Sequence, residues 1–248
     1  MLIQQTLERL RQLGLHGMLR SLDQQLESSE YLSLSFEERL GLLIDSETAF
    51  RDSRNLKTRL KAAKLKHQAC IENIDFRKPR GLEKRLLLQL SSCQWVTDHR
   101  NILVTGPTGV GKTYVACALA HKACQQGFKA LYERAPRLFS TLALAKAAGT
   151  YNSMLGKMSK LDVVVIDDFG LITLNDDMAR DLLELVDDRS ERKSTIFASQ
   201  LPVDSWHDTI GNPTLADAIL DRVVHNSYRL KLKGPSMRDT KEEEEQPQ

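Results

Sequence analysis

Apolar residues recur at helical spacing through the opening stretch of the chain. Leu2, Leu7, Leu10 and Leu13 form one amphipathic stripe that ends at Gly14, and Met18, Leu19, Leu22 and Leu26 form a second. Ser35 with Glu38 three residues later is a capping-box signature, and the helix it opens continues through Leu40, Leu43 and Ile44. The spacing predicts an all-helical domain from Met1 to about Ala69. Further on, short apolar runs take turns with helical stretches. Helices are expected over about Leu82 to Leu90, Tyr114 to Gln126, Pro136 to Lys160 with a loosening near Gly149, Asp176 to Glu191, and onward from Pro213. Strands are expected at Ile102 to Val104, Lys129 to Glu133, Val163 to Ile166, Ser194 to Gln200 and Tyr228 to Leu232. Val163 to Ile166 is apolar at every position, which describes a strand buried on both faces, as in a parallel sheet.

Composition changes this picture mainly through where the charge lies. The 248 residues are 41% hydrophobic, as expected for a folded chain, and 35 Lys and Arg against 33 acids leave a net charge of +2. Residues 51 to 100 carry thirteen basic and five acidic side chains, a surplus of eight, so the remainder is at minus six. Within that segment Arg51, Arg54, Lys57, Lys61 and Lys64 recur at spacings of three and four, which places them on one helical face, and Arg59 and Lys66 widen it. Crowded like charges repel unless an anion relieves them, and nucleic-acid phosphates do so by releasing counterions. The absence of interleaved aromatics favours duplex DNA over stacked single strands; a merely solvated face is the alternative. Pro79 and Gly81 mark residues 70–81 as a linker between the helical domain, 1–69, and a second domain, 82–238. Residues 239–248, with four glutamates, are expected to form a disordered acidic tail. Four cysteines with no Cys-x-x-Cys pair suggest reduced thiols, and no apolar stretch is long enough to span a bilayer, so a cytoplasmic protein that needs no membrane is expected.

The chemistry sits at two strand ends. Gly106, Pro107, Thr108, Gly109, Val110, Gly111, Lys112 and Thr113 form a phosphate loop between a strand and a helix, where inward-turned amides and a helix N-terminus cradle a polyphosphate such as that of ATP. Lys112 is placed to reach the terminal phosphates, and the Thr113 hydroxyl to hold Mg2+. Asp167 and Asp168 follow the all-apolar strand, at the end where ligands of open parallel sheets bind. Asp167 is expected to coordinate the magnesium through water, and Asp168 to orient or deprotonate the attacking water. On the Ser194 strand a polar terminal residue could sense the last phosphate; Gln200 is the candidate and Ser199 the alternative. A small-molecule phosphotransferase would share this loop, but would work as an independent active site.

Gly-Pro-Thr-Gly-Val-Gly-Lys-Thr, Val-Val-Val-Ile-Asp-Asp-Phe-Gly, Ser-Gln-Leu-Pro-Val, Asp-Arg-Val-Val-His and Gly-Pro-Ser-Met-Arg follow a helical N-terminal domain in that order. Together they resemble the IstB family of insertion-sequence transposition helper ATPases, relatives of the DnaC helicase loaders. The resemblance covers nearly the whole chain. It implies an α/β AAA+ P-loop NTPase fold with a five-stranded parallel sheet, and ATP hydrolysed between subunits of a homo-oligomer. It also implies ATP-promoted, sequence-independent binding to duplex DNA and assistance to a transposase; a helicase loader is the alternative. By position, Arg222 would be the arginine finger reaching a neighbouring subunit's nucleotide, and Arg238 a second sensor. Asp168 departs from the Glu usual among AAA+ proteins. Its shorter side chain implies slow turnover, which suits a switch whose ATP-bound state must persist.

Overall fold

The computed structural model describes residues 2–78 and 80–237; Pro79, Arg238 and the expected acidic tail 239–248 lie outside the described residues. The chain divides into two compact units, Met1–Thr58 and Arg59–Gln248.

The first unit holds α1 (Leu2–Gln12), α2 (His16–Glu27), a 3-10 segment (Ser29–Ser33) and most of α3 (Phe36–Ala63). The capping box forms as its residues dictate: Ser35 N–H donates to Glu38 Oε2 at 2.7 Å, and Glu38 N–H to Ser35 Oγ at 3.2 Å. α2 obtains its N-terminal partner from a distant residue. Leu15 offers no side-chain acceptor, and the buried Glu47 carboxylate instead accepts from the N–H groups of Gly17 at 2.7 Å and Met18 at 3.2 Å. This satisfies two otherwise orphaned donors and sets a negative charge against the positive helix end. Gly17 permits the approach, since a Cβ there would run into the backbone of Ser46 and Glu47.

In the second unit α4 (Lys84–Ser91) and α5 (Gln94–Thr97) precede β1 (Asn101–Thr105), and α6 (Lys112–Gln125), β2 (Ala130–Arg134), α7 (Ala135–Ala147) and α8 (Tyr151–Ser159) follow. Then come β3 (Val163–Phe169), α9 (Asp176–Arg189), β4 (Ser194–Ser199), α10 (Trp206–Ile210), α11 (Pro213–Val224) and β5 (Ser227–Lys231). The five strands form one sheet in the order β2-β3-β4-β1-β5, with every pairing parallel. The three inner strands, β1, β3 and β4, are almost wholly buried because helices cover both faces, as parallel sheets require. Parallel pairing brings all five C-terminal ends to one edge, and the order sets β4 between β1 and β3. Beneath that edge Phe169, Phe197 and Trp206 pack edge-on or tilted, with ring centroids 4.7 to 5.8 Å apart. Each such pair contributes about 0.5–1.5 kcal/mol beyond area burial.

The division between units falls after Thr58, whereas an end to the helical domain at residue 69 and a linker over 70–81 were expected. The reason is burial: Ala63, Ala69, Ile71 and Ile74 are at most 5% exposed, and Ile71–Asn73 forms a 3-10 turn. Arg80, which a Pro/Gly-flanked stretch would leave in solvent, is 6% exposed.

Candidate nucleotide site

Turns between strand and helix build the site. β1 delivers the chain into Gly106–Gly111, where Gly106, Gly109 and Gly111 all have positive φ, and α6 begins at Lys112. Two of these glycines serve packing as well. A Cβ at Gly106 would strike Leu232 O, and one at Gly109 would strike the side chain of Ser236. Met237 N–H donates to Gly109 O at 3.0 Å, so the stretch after β5 lies directly against the phosphate loop.

Residues of the loop, Asp168 of β3, Gln200 just past β4, and residues of the stretch from Lys66 to Arg80 line a cavity of about 500 Å³. Thr108, Gly109, Gly111, Lys112 and Thr113 share it with Asp168 and Gln200. Lys112 Nζ donates to Pro107 O at 2.7 Å across the loop. Thr113 Oγ1 donates to Asp167 Oδ2 at 2.9 Å, so a hydroxyl and a carboxylate oxygen converge on one point. Two hard oxygen donors are the ligand set that a magnesium ion retaining most of its waters would accept, and the residues fit that ion. Thr108 Oγ1 donates to Gln200 Oε1 at 2.9 Å, which brings the end of β4 to the loop. Ser199 faces elsewhere. It is fully buried, donating to Phe169 O at 2.6 Å and accepting from Leu201 N–H at 3.1 Å. Its hydroxyl fastens β4 to β3.

Asp167 and Asp168 differ in environment. Asp167 is 1% exposed, and the Tyr132 hydroxyl donates to the same Oδ2 at 2.6 Å. Burial, and then that carboxylate, push the Tyr132 phenol far above its ordinary range, so it remains a donor. Asp168 occupies a bulge: between the pairings Ile166 with Phe197 and Phe169 with Ser199, β3 advances three residues while β4 advances two. Its φ is +56°, in the left-handed region. Arg134 Nε, at the end of β2, donates to Asp168 Oδ2 at 2.6 Å, and this bond raises the arginine's already high pKa.

Tyr132, Arg134 and Arg80 escaped the sequence reading. Arg134 stands beside Asp167 in register, a signal available once the β2–β3 pairing is known. Arg80 gave none. Its Nη2 donates to Asp75 O at 3.0 Å, its Nη1 lies 2.9 Å from where a Gly111 Cβ would sit, and its Nε is buried without a partner. Burial lowers its pKa.

Arg222, near the end of α11, lies outside the cavity and pairs with Asp187 on α9 at 2.6 Å. The Asn101 side chain donates to Arg222 O and Val223 O, both at 3.2 Å, and so ties that end of α11 to β1. The single helical face expected for seven cations needs correction, because α3 ends at Ala63 and Lys64 turns the chain at φ +50°. Lys64 and Lys66 are therefore not on the helix, and Lys66 lines the nucleotide cavity. Arg59 Nε donates to Cys124 O at 2.8 Å, and Arg51 pairs with Glu47 at 2.7 Å. Arg54, Lys57 and Lys61 are exposed on α3. All four cysteines are free thiols, and burial pushes Cys93 up to about 11. Among the described residues no helix is long and apolar enough to cross a membrane.

Residues 8–245 match the family described as IstB-like ATP binding protein. An insertion sequence ATP-binding protein of Sinorhizobium fredii is 46% identical over 238 residues, covering 96% of this chain and 97% of its own. Among solved structures, DnaI superposes with a TM-score of 0.59 at 20% identity, over 66% of this chain and 91% of that one. The replication initiator DnaA bound to AMPPCP and single-stranded DNA gives 0.54 at 15% identity, over 69% and 52%. Likeness at such identity is one of fold, and the fold is that of the AAA+ P-loop ATPases.

Proposed function

This chain belongs to the IstB-like ATP binding protein family, and from that membership we propose that it is an AAA+ ATPase that assembles on duplex DNA with ATP bound and assists the transposase of its insertion sequence. The observation that carries the reading is the meeting of Lys112, Thr113, Asp167, Asp168 and Gln200 at one sheet edge. There the Thr113 to Asp167 bond of 2.9 Å pre-forms the cation end and Asp168 lines the cavity. Mg2+, held by Thr113 and by Asp167 through water, would neutralise phosphate charge. The loop amides and Lys112 bind and orient the polyphosphate. Asp168 accepts the proton of the attacking water once its bond to Arg134 yields, Gln200 reports the terminal phosphate to the loop through Thr108, and Tyr132 holds Asp167 in place.

Hydrolysis within a homo-oligomer is supported by the position of Arg222, which is remote from its own chain's cavity and one third exposed. In an assembly it serves the neighbouring subunit's nucleotide, exchanging Asp187 for phosphate. Contact with DNA is supported by Arg54, Lys57 and Lys61, whose charge α3 displays in solvent.

Sedimentation with duplex DNA under ATP, ADP or no nucleotide tests this, with Arg222→Ala alongside. Large DNA-bound assemblies are expected only with ATP and are lost in the variant. A protein that ignores duplex DNA in every nucleotide state would overturn the reading, and preference for single strands in a competition would favour a helicase loader.

A further inference from the structure

The open edge of the sheet carries a second concave site. β5 pairs only with β1, and along it and the two residues that follow, exposed side chains alternate with buried ones: Arg229, Lys231 and Lys233 are exposed, whereas Leu230 and Leu232 are at most 3% exposed. With Lys78 and Phe76 the three cations line a groove of about 540 Å³, in which Glu83 is the one carboxylate. Among the described residues none of these three exposed cations has an ion-pair partner. A row of like charges along one strand repels itself unless an anion lies across it.

The groove shares its wall with the nucleotide site. Arg80 lines both cavities. Lys233 N–H donates to Arg80 O at 2.8 Å, Gly81 lies so close to β5 that a Cβ would be 2.9 Å from Lys231 O, and Leu232 N–H donates to Thr105 O at 2.7 Å at the start of the phosphate loop. The backbone that presents the cations is thus the backbone that packs on Gly106 and Gly109.

We propose that the groove formed by Arg229, Lys231 and Lys233 on the edge of the sheet is a second binding site for the nucleic-acid phosphate backbone, linked to the nucleotide cavity through Arg80 and the 232–237 stretch. This rests on the DNA-binding reading above and assigns part of that binding to the ATPase unit, apart from α3. Contacts from an extended strand to phosphates position a duplex without reading its sequence. Linkage is reciprocal, so DNA in the groove tightens ATP by the same factor by which ATP tightens DNA.

The test is duplex binding by fluorescence anisotropy across roughly 50 to 200 mM salt, with a non-hydrolysable ATP analogue. It compares the unaltered protein, the groove variant Arg229→Ala/Lys231→Ala/Lys233→Ala, and the helix variant Arg54→Ala/Lys57→Ala/Lys61→Ala. The groove variant is expected to bind DNA at least about tenfold more weakly, with a salt slope shallower by about 0.9 per lost phosphate contact, or about 2.7 for three. Its affinity for the analogue without DNA stays unchanged, and the mutual tightening of ATP and DNA is lost. The variant Arg229→Lys/Lys231→Arg/Lys233→Arg, which keeps the charges, retains the full slope. An unaltered slope in the alanine groove variant, with the slope reduced in the helix variant, would sink the groove and leave the function intact. Loss of DNA binding in the charge-keeping variant would also sink it, by showing that these side chains act through the fold. No duplex binding by the unaltered protein would remove both proposals.

Discussion

Asp168 stands at φ +56°, where an L-residue other than Asn or Asp is costly, because the short carboxylate can bond locally to relieve the strain. Its identity follows from the bulge in β3 as much as from chemistry: a glutamate would extend farther but sit less easily on this backbone, by about 1 kcal/mol. The partner matters equally. With Arg134 Nε 2.6 Å from its Oδ2, Asp168 is held and partly neutralised. Arg134→Ala should therefore raise basal phosphate release several-fold at saturating ATP and leave ATP affinity within about twofold; single-turnover assays check this, and an unchanged or slower rate would assign Arg134 to holding Asp168 in its working position. Lys112, Thr113 and Asp167 were legible because loop and strand-end chemistry depends on neighbours in sequence. Tyr132 and Arg134 were not, since their partners lie thirty or more residues away and only the strand register brings them together, and Arg80 was not, since only the fold sets it against Gly111.

α2 depends on a residue of α3 for its start, because Glu47 supplies the cap that Leu15 cannot. Burial alone would raise the Glu47 pKa, but the Arg51 hydrogen bond and the amides of Met18 and Gly17 outweigh it, and the net shift is downward from about 4.5. A lowered carboxylate pKa stabilises the fold fully above the unfolded value, and that contribution is lost as pH falls through the folded one. The full-length protein should therefore lose helical signal at lower temperature as pH drops below about 4.5, and Glu47→Gln should flatten that dependence; circular dichroism melts from pH 6 to 3 provide the check, and parallel profiles for both proteins would discount the cap. Most elements were readable from apolar spacing and caps, which act locally. α5 and α10 were missed because four or five residues are too few to show a period. The extent of α3 misled in the opposite sense: the cationic spacing runs past Ala63, yet nothing in it announces the left-handed turn at Lys64.

In the molecule as a whole, the sheet order joins segments distant in the chain. β1 completes its pairing only with β4 and β5, so its hydrogen bonds link residues near 101 to those near 194 and 227. Loops closed over such separations slow folding. Gly106 and Gly109 are then held by Leu232 and Ser236, which places the last wall of the phosphate loop about 130 residues after its first. On a ribosome adding about 5–20 residues per second, that interval lasts roughly 6 to 25 s. For nearly all of this time the nascent chain carries Gly106–Thr113 and lacks the segment that packs against that loop. Nascent chains arrested at increasing lengths should gain a fluorescent ATP analogue only after residues 232–237 have emerged; capture by chains arrested just beyond β3 would show a loop that folds unaided. Nucleotide would then bind only once the segment after β5 is in place, so a translation product interrupted before that segment would be unable to hold ATP.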